Sequence, residues 1–192
     1  FIVTPLPGAF NKVSPNSGTA SHPATGITLT WTSSANATVY ALCLSTNFND
    51  CINPNLYNRN AGANTSFGTG PLLAGVTYYW NVRAYNNNGT AYARYANENI
   101  NQVWSFTTRP LPGAFNKLQP ANGTAPSSAS LSWQPSVGAT SYELCVDADP
   151  GRCVNGGGGF TISTNTSTDP LGGLTPSTTY FWHVRARNPS GV

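Results

Sequence analysis

The chain has 192 residues, room for two domains of about a hundred residues each, and only 8% of them are charged, against roughly a quarter in an average soluble protein. Its formal net charge of +3 is the balance of nine Lys and Arg against six Asp and Glu scattered along the sequence; with no basic stripe, nucleic acid and anionic membrane are poor candidates as partners. No apolar run approaches the ~20 residues of a membrane span, so Asn, Thr, Ser and Gly must hold water at the surface, with attached sugar as a second means.

The chain opens on Phe1-Ile2-Val3-Thr4-Pro5, which aligns at an offset of 105 with Phe106-Thr107-Thr108-Arg109-Pro110. The next stretch, Pro5-Leu6-Pro7-Gly8-Ala9-Phe10-Asn11-Lys12, returns unchanged as Pro110-Leu111-Pro112-Gly113-Ala114-Phe115-Asn116-Lys117. A period near one hundred residues is too long for a solenoid turn, so each copy should be a domain with its own core. Beyond a three-residue contraction the copies stay in register at an offset of 102: Thr28-Leu29-Thr30-Trp31 with Ser130-Leu131-Ser132-Trp133, and Tyr78-Tyr79-Trp80-Asn81-Val82-Arg83 with Tyr180-Phe181-Trp182-His183-Val184-Arg185. Residues 1–4 therefore read as the end of a preceding module's last strand, 5–109 as the first domain and 110–192 as a second domain whose last strand, the equivalent of Val103–Thr108, is missing. The Thr108-Arg109-Pro110-Leu111-Pro112 linker predicts a fairly stiff array.

Within each copy, apolar and polar residues alternate over four to eight positions between Gly, Pro, Asn and Ser clusters, the pattern of an antiparallel sandwich with almost no helical signal. Strands are expected near 2–5, 12–15, 26–33, 38–45, 50–53, 64–68, 76–86 and 102–108, and again near 117–119, 129–134, 140–147, 152–155, 164–168 and 178–188. Trp31, Leu42, Tyr78, Trp80, Val82 and Phe106 should fill one core, and Trp133, Leu144, Tyr180, Trp182 and Val184 the other. The four cysteines form one spacing twice, Cys43 with Cys51 and Cys145 with Cys153. Zinc sites pair cysteines closer together, so a disulfide is the better reading. Strand parity puts Cys43 on the outer face, within reach of a partner on the neighbouring strand after a short hairpin. Such bridges imply an oxidising compartment.

No catalytic constellation, metal site or cofactor motif emerges. His22 sits beside Pro23 in an expected loop and His183 on an outward strand face, and neither has a counterpart in the other copy. Asp147-Ala148-Asp149 lacks the rest of a calcium loop and reads as a hairpin tip. Gly156–Gly159 lacks the Lys-Ser/Thr and helix of a phosphate loop and reads as a loose connection. Two features stand out: five Asn-x-Ser/Thr triplets, at Asn36, Asn64, Asn88, Asn122 and Asn165, which are candidate glycosylation sites in turns or at strand edges; and the long loop from Asn86 to Gln102, whose Tyr92, Arg94 and Tyr95 suit recognition or packing against a neighbouring domain.

Trp on the second strand, Tyr-x-Leu on the third, and Leu174-x-Pro176-x-Thr178-x-Tyr180-x-Trp182-x-Val184-x-Ala186 followed by Asn188 resemble the fibronectin type III domain, particularly the tandem versions of bacterial secreted and surface proteins. The resemblance covers essentially the whole chain. Copy one departs from it with Ala74 and Val76 in place of Pro176 and Thr178. It implies two immunoglobulin-like sandwiches, with Tyr78 and Tyr180 as corner tyrosines bonding nearby backbone; the cysteine pairs are no part of it. The function expected is a structural subunit or repeat of an extracellular filament, sheath or adhesive stalk. Its partners would be further copies or adjacent modules, with Phe1–Thr4 completing a neighbour's open sheet head-to-tail. The alternative is a spacer or carbohydrate-binding accessory region of a secreted hydrolase, for which the outward Tyr79 and Phe181 are the hint.

Overall fold

The computed structural model describes residues 5–93, 102–126, 129–154, 159–168 and 170–192. Phe1–Thr4, Arg94, Tyr95 and Gly156–Gly158 lie outside the described residues. The chain divides into two compact units, Phe1–Pro110 and Leu111–Val192, each a β-sandwich.

In unit 1 the strands are β1 (Lys12–Ser14), β2 (Thr19–His22), β3 (Thr28–Trp31), β4 (Val39–Ser45), β5 (Arg59–Gly62), β6 (Ser66–Gly68), β7 (Thr77–Asn86), β8 (Gly89–Tyr92) and β9 (Trp104–Thr108). One sheet runs β1-β3-β6; the other runs β2-β9-β7-β4-β5, with β8 also on β7. Between them lies a core that includes Phe10, Leu29, Trp31, Tyr40, Leu42, Tyr78, Trp80, Val82, Trp104 and Phe106. Period-2 alternation dictates this: along β7, Tyr78, Trp80, Val82 and Ala84 all point inward and are buried.

The repeated octapeptide is a clasp in both units. Gly8 donates its N–H to the Ala35 carbonyl (2.8 Å) and Gly113 to that of Val137 (2.9 Å). The Ser34 and Ser136 hydroxyls donate back to the Gly8 and Gly113 carbonyls (2.7 and 2.6 Å). A Cβ on Gly8 would stand 3.3 Å from that of Ala35, so a larger residue there would force the two apart by a few tenths of an ångström. Phe10 and Phe115 then meet Tyr40 and Tyr142 edge-on, each at 5.6 Å, while those tyrosines accept the Ser34 and Ser136 N–H groups.

Unit 2 has β10 (Lys117–Gln119), β11 (Ser132–Trp133), β12 (Ser141–Asp147), β13 (Thr161–Ser163) and β14 (Phe181–Arg187). β10 pairs with β11, and β12 lies between β13 and β14. Leu131, Trp133, Tyr142, Leu144, Val184 and Ala186 form its core; Tyr180 and Trp182, expected there too, are only half-buried. The corner geometry is present in both units: Tyr78 accepts the Leu73 N–H at 2.9 Å and Tyr180 the Thr175 N–H at 3.0 Å. The strand division, the central Trp and these corners give the immunoglobulin-like, fibronectin type III-like fold.

Several expected elements are corrected. The segments near 50–53 and 152–155 are not strands but short helices, α1 (Phe48–Ile52) and α2 (Pro150–Val154). Asn47 caps α1 by accepting the Asn49 N–H (3.0 Å). Asp149 accepts the Gly151 N–H (2.8 Å) with Pro150 as the first helical residue, a start signal in side-chain chemistry. The cysteine partners therefore sit on helices, not on hairpin strands. β2, β5 and β8 arise where loops were expected, and His22 ends β2, its ring edge-on to Phe106 at 5.7 Å. Near 164–168 only Ser167 bridges, to Ser132, and the strand is β13 instead.

Candidate functional site

The outer face of the larger sheet is covered in unit 1. Cys43 and Cys51 are bonded, with Cα atoms 5.3 Å apart, which lays α1 over β4 and β7. Beneath it Ala41, Cys43, Cys51 and Tyr57 form a second small core bordered by Tyr79, Tyr85, Tyr92 and Val103. Tyr79, an outward aromatic in sequence, is edge-on to Phe48 at 5.6 Å. Tyr92 meets Tyr57 edge-on at 5.9 Å, so it packs within its own unit. Arg83 lies over the Tyr57 ring at 4.8 Å and donates to the Pro54 carbonyl at 2.9 Å. These aromatics hold the staple down and, among the described residues, leave no open row of rings on this face.

Unit 2 repeats the staple, Cys145–Cys153 with Cα atoms 5.6 Å apart, but covers the face differently. Glu143 stands where unit 1 has Ala41, buried between Arg185 (Nε to Oε2, 2.5 Å) and Arg187, with Arg185 over Phe160 at 4.1 Å. Burial pushes the Glu143 carboxyl up, but the hydrogen bond and charge of Arg185, joined by those of Arg187, outweigh this and hold it below the ordinary carboxylate range. A depressed folded value contributes stability that is complete above the unfolded pKa of about 4.3 and lost as pH falls through the folded one. Thermal unfolding followed down from neutral pH should show unit 2 losing stability on that limb, and Glu143→Gln should flatten it; an unchanged acid limb in the variant would refute this role.

Lys12 has an unusual place. It is 4% exposed, and its Nζ donates to Asn81 Oδ1 at 2.9 Å and to the Gln102 carbonyl. The Trp80 and Trp104 rings flank it at 5.9 and 5.6 Å. It fills the gap along β7 where the partner strand changes from β9, ending at Trp80↔Trp104, to β8, beginning at Arg83↔Tyr92. Burial lowers its pKa from 10.5 to about 7. Sequence reasoning passed over this residue, although its parity with Phe10 two residues earlier places it on the inward face.

The remaining feature is an edge. β14 pairs with β12 from Ser141↔Arg187 to Asp147↔Phe181, and among the described residues no strand lies along its other side. In unit 1 the same side of β7 carries β8 and β9. There Lys117 Nζ, the counterpart of Lys12, is exposed, donates to the Trp182 carbonyl at 2.9 Å and stands 4.6 Å from the Trp182 ring. Phe181 is 41% exposed beside it. This side of β14, where Lys117 reaches the Trp182 carbonyl and no described strand pairs, and the half-covered Trp182 form an open sheet edge.

Asn36, Asn64, Asn88, Asn122 and Asn165 are all exposed, in turns or loops. His183 is exposed too, its pKa lowered by partial burial and by the charges of Lys117 and Arg185. Asp147 and Asp149 bond the Asp149 and Gly151 N–H groups as helix caps. Among the described residues no group of three His, Cys, Asp or Glu side chains is placed to hold a metal, and no helix is long and apolar enough to cross a membrane.

No family model matches the sequence, and no curated protein matches it. Among solved structures the chain is similar to the FN1–FN3 domains of chicken CNTN1, at 16% identity and a TM-score of 0.41 over 96% of this chain and 62% of that one. It is also similar to a mutant of FN3tt, at 14% identity and a TM-score of 0.33 over 55% of this chain and 97% of that one. A third is an α-L-rhamnosidase from Dictyoglumus thermophilum, at 11% identity and a TM-score of 0.38 over 74% of this chain and 17% of that one. The chain thus spans less than two thirds of the CNTN1 fragment.

Proposed function

We propose that the chain is a non-catalytic structural module of an extracellular filament, sheath or adhesive stalk, in which the free side of β14 receives a strand from a neighbouring module. The observation that carries this reading is the contrast between β7, paired along both sides, and β14, paired along one. Phe1-Ile2-Val3-Thr4 is the segment offered, because it aligns with Phe106–Arg109, which includes the end of the strand that fills this place in unit 1. Strand addition uses main-chain hydrogen bonds for affinity and alternate side chains for fit; Phe1 would take the position of Phe106 against Tyr180. The contact is head-to-tail and does not close on itself, so it propagates as a fibre. The two disulfides accord with assembly outside the cell, and sugar on the exposed Asn sites would shield a surface so poor in charge.

Light scattering and negative-stain electron microscopy test the reading. The full chain should form oligomers that lengthen with concentration, and deletion of residues 1–4 should leave folded monomers. A deletion variant that assembles as well as the full chain would refute strand donation, and a full chain that stays monomeric at high concentration would refute the filament.

A further inference from the structure

We propose that the Lys12 side-chain nitrogen and the Asn81 side-chain carbonyl carbon are joined in the folded protein by an amide bond, an intramolecular cross-link tying β1 to β7 inside unit 1. The two residues are 69 positions apart and both are buried, Asn81 completely. Nζ stands 2.9 Å from Oδ1, and the carbon to be attacked is the next atom beyond that oxygen. The pair does not drift: Nζ also donates to the Gln102 carbonyl, and Asn81 Oδ1 accepts the Val82 N–H at 3.0 Å. That second bond polarises the carboxamide and is placed to hold the negative charge that grows on Oδ1 during attack. Two indole rings wall off water, which would otherwise compete as nucleophile.

The amine must attack in its neutral form. Among the described residues no carboxylate pairs with Lys12, and burial has brought its pKa to about 7, so an appreciable share carries a free lone pair near neutrality. Fixed geometry supplies the rest, since a held nucleophile and electrophile act at effective concentrations on the order of 10⁵ M or more. In the step, Nζ bonds to Cγ and gives a tetrahedral centre. A proton passes from Nζ to Nδ2, the Cγ–Nδ2 bond breaks, and ammonia leaves. No electrons are transferred and no co-reactant is consumed. Escape of ammonia to solvent makes the reaction one-way. Unit 2 is the internal control: Lys117 is exposed, and the place of Asn81 is taken by His183, which has no carbonyl to attack.

Mass spectrometry of the reduced, intact full chain should find it lighter by one ammonia than its sequence requires. Proteolysis should yield one branched peptide joining the Lys12 and Asn81 segments, with no tryptic cut after Lys12. Lys12→Gln and Asn81→Ala should each have the full mass of their sequence. A folded chain of full mass overturns the proposal. That chain would carry a free amine titrating at 10.5 unfolded and about 7 folded, and its stability would rise with pH between those values because the unfolded state then binds the extra proton. Loss of ammonia traced to Asn88-Gly89, Asn122-Gly123 or Asn155-Gly156, the Asn-Gly steps where succinimides form, also overturns it. The wild-type measurement decides even where a variant fails to fold.

Discussion

Trp80→Ala is expected to remove about 3–5 kcal/mol from unit 1, a large share of the ~5–15 kcal/mol that holds a domain together. Trp80 is completely buried and meets Trp104 edge-on at 5.8 Å. Its neighbours on β7 are held, Tyr78 opposite Phe106 of β9 and Val82 opposite Leu42 of β4, and have little room to collapse into the void. The same change at Trp182 should cost less, on the order of 2 kcal/mol. That ring is half-buried, one side against Trp133 at 6.4 Å and the other toward the Lys117 amine. Calorimetry of the two variants against the parent, with each unit's transition assigned, measures the difference. Equal losses would mean that Trp182 is as well covered as Trp80, and the open side of β14 would lose its significance.

The sequence was legible where one rule acted alone. Alternation placed Tyr78, Trp80 and Val82 inside because a strand's period is two and one face must leave water. The corner tyrosines followed from a resemblance and are in place at Leu73 and Thr175. It was illegible where two effects competed. The residues that open α1 and α2, Asn47 and Asp149-Pro150, serve turns and helix caps alike, and only the staple to Cys43 or Cys145 makes a helix of five residues worth forming. Tyr79 reads as solvent-facing because outward parity normally means water, yet α1 folds over it and makes a second core on that face. Lys12 reads as surface because lysine seldom goes inside. Its burial depends on a carboxamide 69 residues away, a juxtaposition that no local pattern encodes.

Replacing Cys43 and Cys51 together by serine should lower the stability of unit 1 by roughly 2–3 kcal/mol. The chain-entropy cost of opening so short a loop is about 2.5 kcal/mol, and the bridge spans a separation of 8 residues. The outer-face core adds to this. α1 cannot persist alone at five residues, so without the bridge its hold on Tyr79 through Phe48, and the bond from the Tyr57 hydroxyl to the Cys51 carbonyl at 3.3 Å, must carry it. We expect the 46–58 segment to become the first protease target while the inner core around Trp80 stays protected. In unit 2 the serine pair should cost the entropy term with less exposure, since Glu143, Arg185 and Arg187 still cover the face. Urea titrations with limited proteolysis would check both. An unchanged midpoint, or a 46–58 segment as resistant as before, would mean that packing holds α1 and the bridge only records its position.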